Sequence, residues 1–114
     1  MSQRHETDVA LHALADATRR DIVRRTLDGE GCSVSSLARR YPMSFAAVQK
    51  HVAVLERAGL VTKQRRGREQ LVRGHAGALR QAVDLLEQLE SLWRRRLDQF
   101  DEALTQYLNE GGST

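Results

Sequence analysis

At 114 residues, with a formal net charge of +3, 40% hydrophobic and 29% charged residues, the chain has the composition of one small globular domain, expected to gain from a partner subunit. No apolar run approaches the ~20 residues a membrane span needs, and residues 2–8 are polar where a signal peptide would be apolar, so a cytoplasmic protein without membrane attachment is expected. The single cysteine excludes an internal disulfide framework.

A first helix is predicted over about residues 7–16, where Val9, Ala10, Ala13 and Leu14 recur at helical spacing. Thr18, with Asp21 three residues on, resembles a capping box that opens a second helix, ending at Gly29 and burying Ile22, Val23 and Leu27. A loop follows at 29–32. Ser33 then caps a third helix whose Val34, Leu37 and Ala38 turn inward, and Pro42 disfavours helix at Tyr41 and so ends it. Ser44 caps a fourth helix, in which Val48, Val52 and Leu55 face the core. Ala46, Lys50, Ala53 and Arg57 must therefore face away from it. Gly59 ends this helix as a left-handed cap, and Leu60 returns to the core.

Residues 60–64 and 69–73 are strand-compatible runs around Arg65-Arg66-Gly67-Arg68, where Gly67 supplies the positive φ of a hairpin turn. The layout is a helix-turn-helix over about 33–58 followed by a wing over about 60–73, a module that places one helix in the major groove of double-stranded DNA. The outward face of the fourth helix is small and basic. Bulky groups there would hold it off the base edges, and acidic ones would repel phosphate. Ser44, Phe45, Ala46, Gln49 and Lys50 are the candidate DNA contacts on this helix. His51 lies on its flank and suits a phosphate or a structural contact. Gln49 can pair bidentately with adenine, Lys50 can reach guanine or phosphate, and Phe45 or Ala46 can meet a thymine methyl. Arg65, Arg66 and Arg68 at the wing tip match phosphates or a narrow minor groove.

After the wing a long helix is predicted over about 76–108. Leu79, Val83, Leu86, Glu90, Trp93, Leu97, Phe100, Leu104 and Tyr107 follow alternating steps of four and three, a heptad seam broken only at Glu90. This stripe is too long for one small winged domain to cover. The expected architecture is mainly α with a small β-hairpin, a homodimer joined through the first and terminal helices. Val9, Leu86, Trp93, Leu97, Phe100, Leu104 and Tyr107 are the candidate interface. Such a dimer would present two recognition helices to an inverted repeat.

The chain resembles the ArsR-type winged-helix transcriptional repressors. The resemblance rests on the opening stretch at 13–23, Ala-Leu-Ala-Asp-Ala-Thr-Arg-Arg-Asp-Ile-Val. It continues through Ser33-Val34-Ser35-Ser36-Leu37-Ala38, Met43-Ser44 and the run from Ala47 to Val61, and covers roughly residues 9–75. Many members carry a small Ser where this chain has Gln49, and a polar residue where it has Phe45. The resemblance implies a DNA-binding repressor. It also directs attention to paired thiolates in the first helix of the helix-turn-helix, or His and carboxylates on the terminal helix, which hold a metal in many members. Here Ser33 and Ser35 stand at the cysteine positions, Cys32 lacks a second thiol, and the terminal helix has no histidine. No metal site, cofactor or effector is therefore assigned. No nucleophile with its base and no phosphate-binding glycine loop is present, so an enzyme is not expected. A protein-docking winged helix is the competing class. It would present more aromatic or aliphatic anchors than Phe45 alone.

Overall fold

A computed structural model describes residues 3–111, with side chains from His5 onward. In chain order it contains α1 (Gln3–Leu14), α2 (Ala17–Leu27), β1 (Cys32–Ser33), α3 (Val34–Ala38), α4 (Phe45–Arg57), β2 (Val61–Arg66), β3 (Glu69–Gly74) and α5 (Ala76–Gly111). Two units are distinguished, one up to Ala82 and one from Val83 on.

α1 lies four residues earlier than its periodicity predicts at the start and stops at Leu14, because Asp16 serves α2 instead. The Asp16 backbone is extended, and its carboxylate accepts the Arg19 N–H at 3.0 Å as an N-cap. This corrects the predicted capping box: Asp16 rather than Thr18 opens the helix. The last carbonyls of α1 are satisfied by guanidinium groups of α2. Arg19 Nε donates to the Ala13 carbonyl at 2.6 Å and Arg20 Nη1 to that of Leu14 at 2.9 Å. A cation at a helix C-terminus both fills an orphan acceptor and complements the helix dipole.

α2 buries Ile22, Val23 and Thr26, and the Thr26 hydroxyl donates back to the Ile22 carbonyl at 2.8 Å. Leu27, expected inside, is 41% exposed. The helix ends there, and the Leu27 side chain lies over Gly74 so closely that a Cβ at that position would collide with it. α3 is five residues long, capped by Ser33 as expected, but it ends at Ala38 rather than near Pro42. Arg39 and Arg40 begin the turn upstream of the proline. Met43 N–H then closes a three-residue turn on the Tyr41 carbonyl at 2.8 Å.

At the end of α4 the chain makes a left-handed turn at Gly59, φ 75°. Gly59 N–H bonds the Glu56 carbonyl and Leu60 N–H bonds that of Leu55, both at 3.0 Å, which is the Schellman arrangement. Leu60 is fully buried, and its own carbonyl accepts the N–H of His75 at 2.9 Å. β2 and β3 form the hairpin, with Arg66 opposite Glu69 and Gly67-Arg68 as a two-residue turn. The sheet has a third strand, β1, placed on β3 with Cys32 opposite Val72. Its two residues are too few for any periodicity, so the predicted loop at 29–32 ends in a strand. The core gathers Ala10, Ala13, Ile22, Leu37, Val48, Val52, Leu55, Leu60, Val61 and Val72. α5 begins in this unit, where Ala82 is buried and Ala78 and Leu79 pack against the cluster. At 36 residues it outruns the predicted 76–108 by three residues at its end.

One polar cluster ties α2 to the turn before α4. The Tyr41 hydroxyl donates to Asp21 Oδ2 at 2.6 Å, and Arg25 Nε donates to the same oxygen at 2.8 Å. These donors, Tyr41 first, hold the Asp21 carboxyl below its ordinary value. Burial, reinforced by the neighbouring carboxylate, pushes the Tyr41 hydroxyl up to about 12. Asp21 thus contributes stability that is complete above the ordinary carboxylate range and is lost as pH falls through its depressed value. Tyr41 contributes stability that is complete below its ordinary value and is lost as pH rises toward 12. Tyr41→Phe should lower stability by about 1 kcal/mol in urea titrations near neutral pH and flatten the loss seen below about pH 4. An unchanged acid limb would show that the cluster does not couple to folding.

Candidate nucleic-acid interface

α4 starts at Ser44, whose backbone is extended and whose Oγ accepts the Ala47 N–H at 3.1 Å. The cap and the stripe Val48, Val52 and Leu55, all buried, fix which way the helix is rolled. Phe45, Ala46, Gln49, Lys50 and Arg57 are left exposed, Phe45 to 47%. Ala53, expected to face away from the core, is half-buried. No acidic residue interrupts α4 before Glu56. Glu56 is itself ion-paired with Lys63 of β2 at 3.5 Å, so part of its charge is compensated.

His51 is drawn to the other side. Its Nδ1 lies 3.4 Å from Arg19 Nη1 and 4.0 Å from Asp16 Oδ2, at the junction of α1 and α2. The Asp16 carboxyl there is held below its ordinary value, first by the Arg19 backbone N–H and then by the charges of Arg19 and His51. Of the two uses the sequence allowed for His51, this geometry provides the structural one.

The wing arginines divide. Arg65 and Arg66 are strand residues rather than turn residues, so they point to opposite faces of the hairpin. Arg65 shares a face with buried Val61 and with Lys63, which pairs with α4. Arg66 shares the other face with Arg73 and lines a cleft with Glu30 and Thr26 of about 410 Å³. Arg68 stands in the turn itself, beside Gly67 at φ 65°. Two basic residues escaped the sequence reading: Arg39 and Arg40, both exposed, occupy the turn directly before α4. Their adjacency in a helix-turn-helix was the available signal.

In the second unit, from Val83 on, the seam is uncovered. Leu86, Trp93, Leu97, Phe100, Leu104 and Tyr107 are all exposed, Trp93 to 63% and Phe100 to 64%. Val9, grouped with them from the sequence, is half-buried and packs against the core of the first unit. At the position of the metal-binding thiolates of similar proteins, Ser33 spends its hydroxyl on the α3 cap and Ser35 is exposed. Cys32 Sγ points to the Arg25 carbonyl at 3.8 Å. Among the described residues, no group of three or more His, Cys, Asp or Glu side chains is gathered as metal ligands would be. Nor is any described helix long and apolar enough to cross a membrane.

A capped helix with a small basic outer face, followed by a β-hairpin that β1 extends to a three-stranded sheet, defines a winged helix-turn-helix, and the comparisons agree. A family model described as a helix-turn-helix domain matches residues 14–64. The chain is 34% identical over 114 residues to the HTH-type transcriptional regulator Rv2034 of Mycobacterium tuberculosis, covering 100% of both proteins. The crystal structure of an ArsR family transcriptional regulator superposes with a TM-score of 0.72 at 26% identity, over 80% of this chain and 93% of that one. An ArsR-like transcriptional regulator from Rhodococcus sp. RHA1 gives 0.70 at 33% identity, over 87% of this chain and 92% of that one. The chain belongs to the ArsR family of winged helix-turn-helix transcriptional regulators.

The two duties of position 44 can be separated. Ser44→Ala should cost about 1 kcal/mol of stability through the lost cap. Ser44→Asp should keep the cap and the melting temperature yet weaken DNA binding, because it sets a carboxylate at the end of α4 expected to approach phosphate. Equal DNA affinity for Ser44→Asp and the wild type would remove this end of the helix from the interface.

Proposed function

We propose that this regulator is a homodimeric repressor that reads an inverted-repeat operator with α4 and grips the flanking backbone with its wing. The observation that carries the reading is the uncovered outer face of α4, where Phe45, Ala46, Gln49 and Lys50 stand exposed on a helix whose roll is set by three buried aliphatic residues. Gln49 and Lys50 have the donors and acceptors for base edges, and the two small or apolar neighbours allow close approach. Ser44 sits at the end of the helix that enters the groove, His51 supports the α1–α2 junction, and Arg65 and Arg68 reach phosphates. Arg66 has the weaker claim because its strand face turns away from that of Lys63. Occupying promoter DNA excludes polymerase, which makes repression the natural consequence of binding. Metal-independent action is supported by Ser33, which uses its side chain as a helix cap where similar proteins present a thiolate.

Each neutralised phosphate releases counterions, so affinity should fall steeply with salt. Arg65→Ala and Arg68→Ala should each reduce the slope of log affinity against log salt by about one per half-site, and Arg66→Ala by less. A filter-binding or fluorescence series over salt checks this, and a salt-independent affinity would remove the wing from the DNA.

Dimerisation is supported by the exposed aromatic seam, since Trp93, Phe100 and Tyr107 would each bury ~150–250 Å² against a second copy. One winged helix reads only a few base pairs, while a dimer doubles the contacts and fixes their spacing. Trp93→Asp places a charge in that seam. The variant should sediment as a monomer and lose specific operator affinity while the first unit stays folded by circular dichroism. A dimer of unchanged stability and affinity would remove residue 93 from the interface.

A further inference from the structure

We infer that the cleft between the wing and the end of α2 binds a small molecule carrying two negative charges and one ammonium group, held by Arg66, Arg73 and Glu30. The cleft, of about 410 Å³, lies wholly within the first unit. Arg66 and Arg73 line it from the hairpin, and Thr26, Gly29 and Glu30 from the end of α2 and the loop after it. Its volume falls in the range of about 300–1,000 Å³ usual for small-molecule sites. The site is independent of the DNA reading above, and either can fail alone.

The elements around the cleft are held by close backbone approaches. β1 lies on β3 with Cys32 opposite Val72, and the loop before it crosses β3 so closely that a Cβ at Gly31 would strike the Val72 carbonyl. Gly29 and Gly31, at φ 89° and 97°, let the loop turn there. Leu27 presses on Gly74 in the same way. Thr26 is 2% exposed, and its hydroxyl already donates to the Ile22 carbonyl at 2.8 Å. The charged groups that line the cleft therefore come from elements fixed against one another.

These groups leave one another unsatisfied. Arg66 stands opposite Glu69 in the hairpin register, yet forms no ion pair with it and lines the cleft instead. Among the described residues, the side chains of Arg66, Arg73 and Glu30 make no hydrogen bond or ion pair, whereas Arg19, Arg20 and Arg25 are all engaged. Two guanidinium groups at one cleft suit an anion, since each can grip a carboxylate or phosphoryl group bidentately. Glu30 decides which anion. A DNA backbone offers phosphate and no cation, so a carboxylate beside it repels; an ammonium on a small molecule turns the same carboxylate into a contact. With two positive charges and one negative, the site is complemented group for group by the inferred ligand. Phosphorylated amines and acidic amino acids share that pattern. They differ in whether one phosphoryl or two carboxylate groups meet the arginines.

The test is calorimetric titration of the full chain with phosphoethanolamine and L-glutamate, each beside its analogue without the ammonium, ethyl phosphate and glutarate. At least one of the two zwitterions should bind saturably with a dissociation constant of about 1 mM or below, and the tighter one tells whether phosphoryl or carboxylate is preferred. It should bind about tenfold more tightly than its own analogue, and Arg66→Gln or Arg73→Gln should each weaken it about tenfold. Glu30→Gln should weaken the zwitterion yet strengthen the analogue, an inversion that a loss of structure would not produce. All three positions are exposed, so none of these changes threatens folding. Arg73→Gln should leave the salt slope of DNA binding unchanged. No saturable binding of either zwitterion, equal binding of a zwitterion and its analogue, or binding that survives Arg73→Gln overturns the site. A reduced salt slope for Arg73→Gln assigns that arginine to the DNA backbone and overturns the site as well.

Discussion

The turn at Gly59 and Leu60 is the constraint on which the first unit depends. Three elements meet there: the end of α4, the start of β2, and the entry to α5 through the bond from His75 to the Leu60 carbonyl. Leu60 is wholly buried, so its backbone groups have no water and must be satisfied within the protein. The Schellman bonds do this on one side and His75 on the other. They require a residue at φ 75°, where a Cβ would strain the backbone. Because α4 and the wing leave the same anchored corner, backbone hydrogen bonds orient them, and the Glu56–Lys63 ion pair at 3.5 Å adds a side-chain link between them.

That division leaves the exposed outer face of α4 and the hairpin turn free of structural duty. Gln49, Lys50 and Arg68 make no contact the fold needs, whereas Ser44 and His51 do. Ser44 is spent on its cap, and His51 on the junction where Asp16 caps α2 and Arg19 closes α1. The same arginine-rich junction shows that a high positive charge is not a measure of DNA contact. Arg19, Arg20 and Arg25 are engaged with carbonyls or with Asp21. Arg39, Arg40 and Arg68 are exposed and open to solvent or a ligand, and Arg65 is held by a 3.4 Å bond from its Nε to the Gly67 carbonyl.

The second unit follows different physics. Its helix closes its own backbone hydrogen bonds, but nothing within it covers the apolar seam. Exposed aromatic and leucine side chains in this number exceed what the surface of a monomer ordinarily carries. A second copy would offer a surface of the same kind. Glu90 interrupts that seam and is ion-paired with Arg94 of its own chain at 3.0 Å.

What the sequence by itself determined is the part governed by local periodicity and local capping. The stripe of Val48, Val52 and Leu55, the caps at Ser33 and Ser44, the left-handed Gly59 and the heptad seam all concern residues within a few positions of one another, and each is found where the pattern puts it. The family motifs were legible for the same reason. What only the tertiary structure decided is every choice between partners remote along the chain. Asp16 displaced Thr18 as the cap of α2 because the α1 terminus needed Arg19 beside it. Asp21, free of the capping box, took Tyr41 from twenty residues away, and β1 exists only because β3 offers it an edge. Arg65 and Arg66 look alike in sequence, and were separated by a strand register that ran two residues past the predicted end. In each case the local signal permitted several outcomes, and a long-range hydrogen bond or strand pairing selected one.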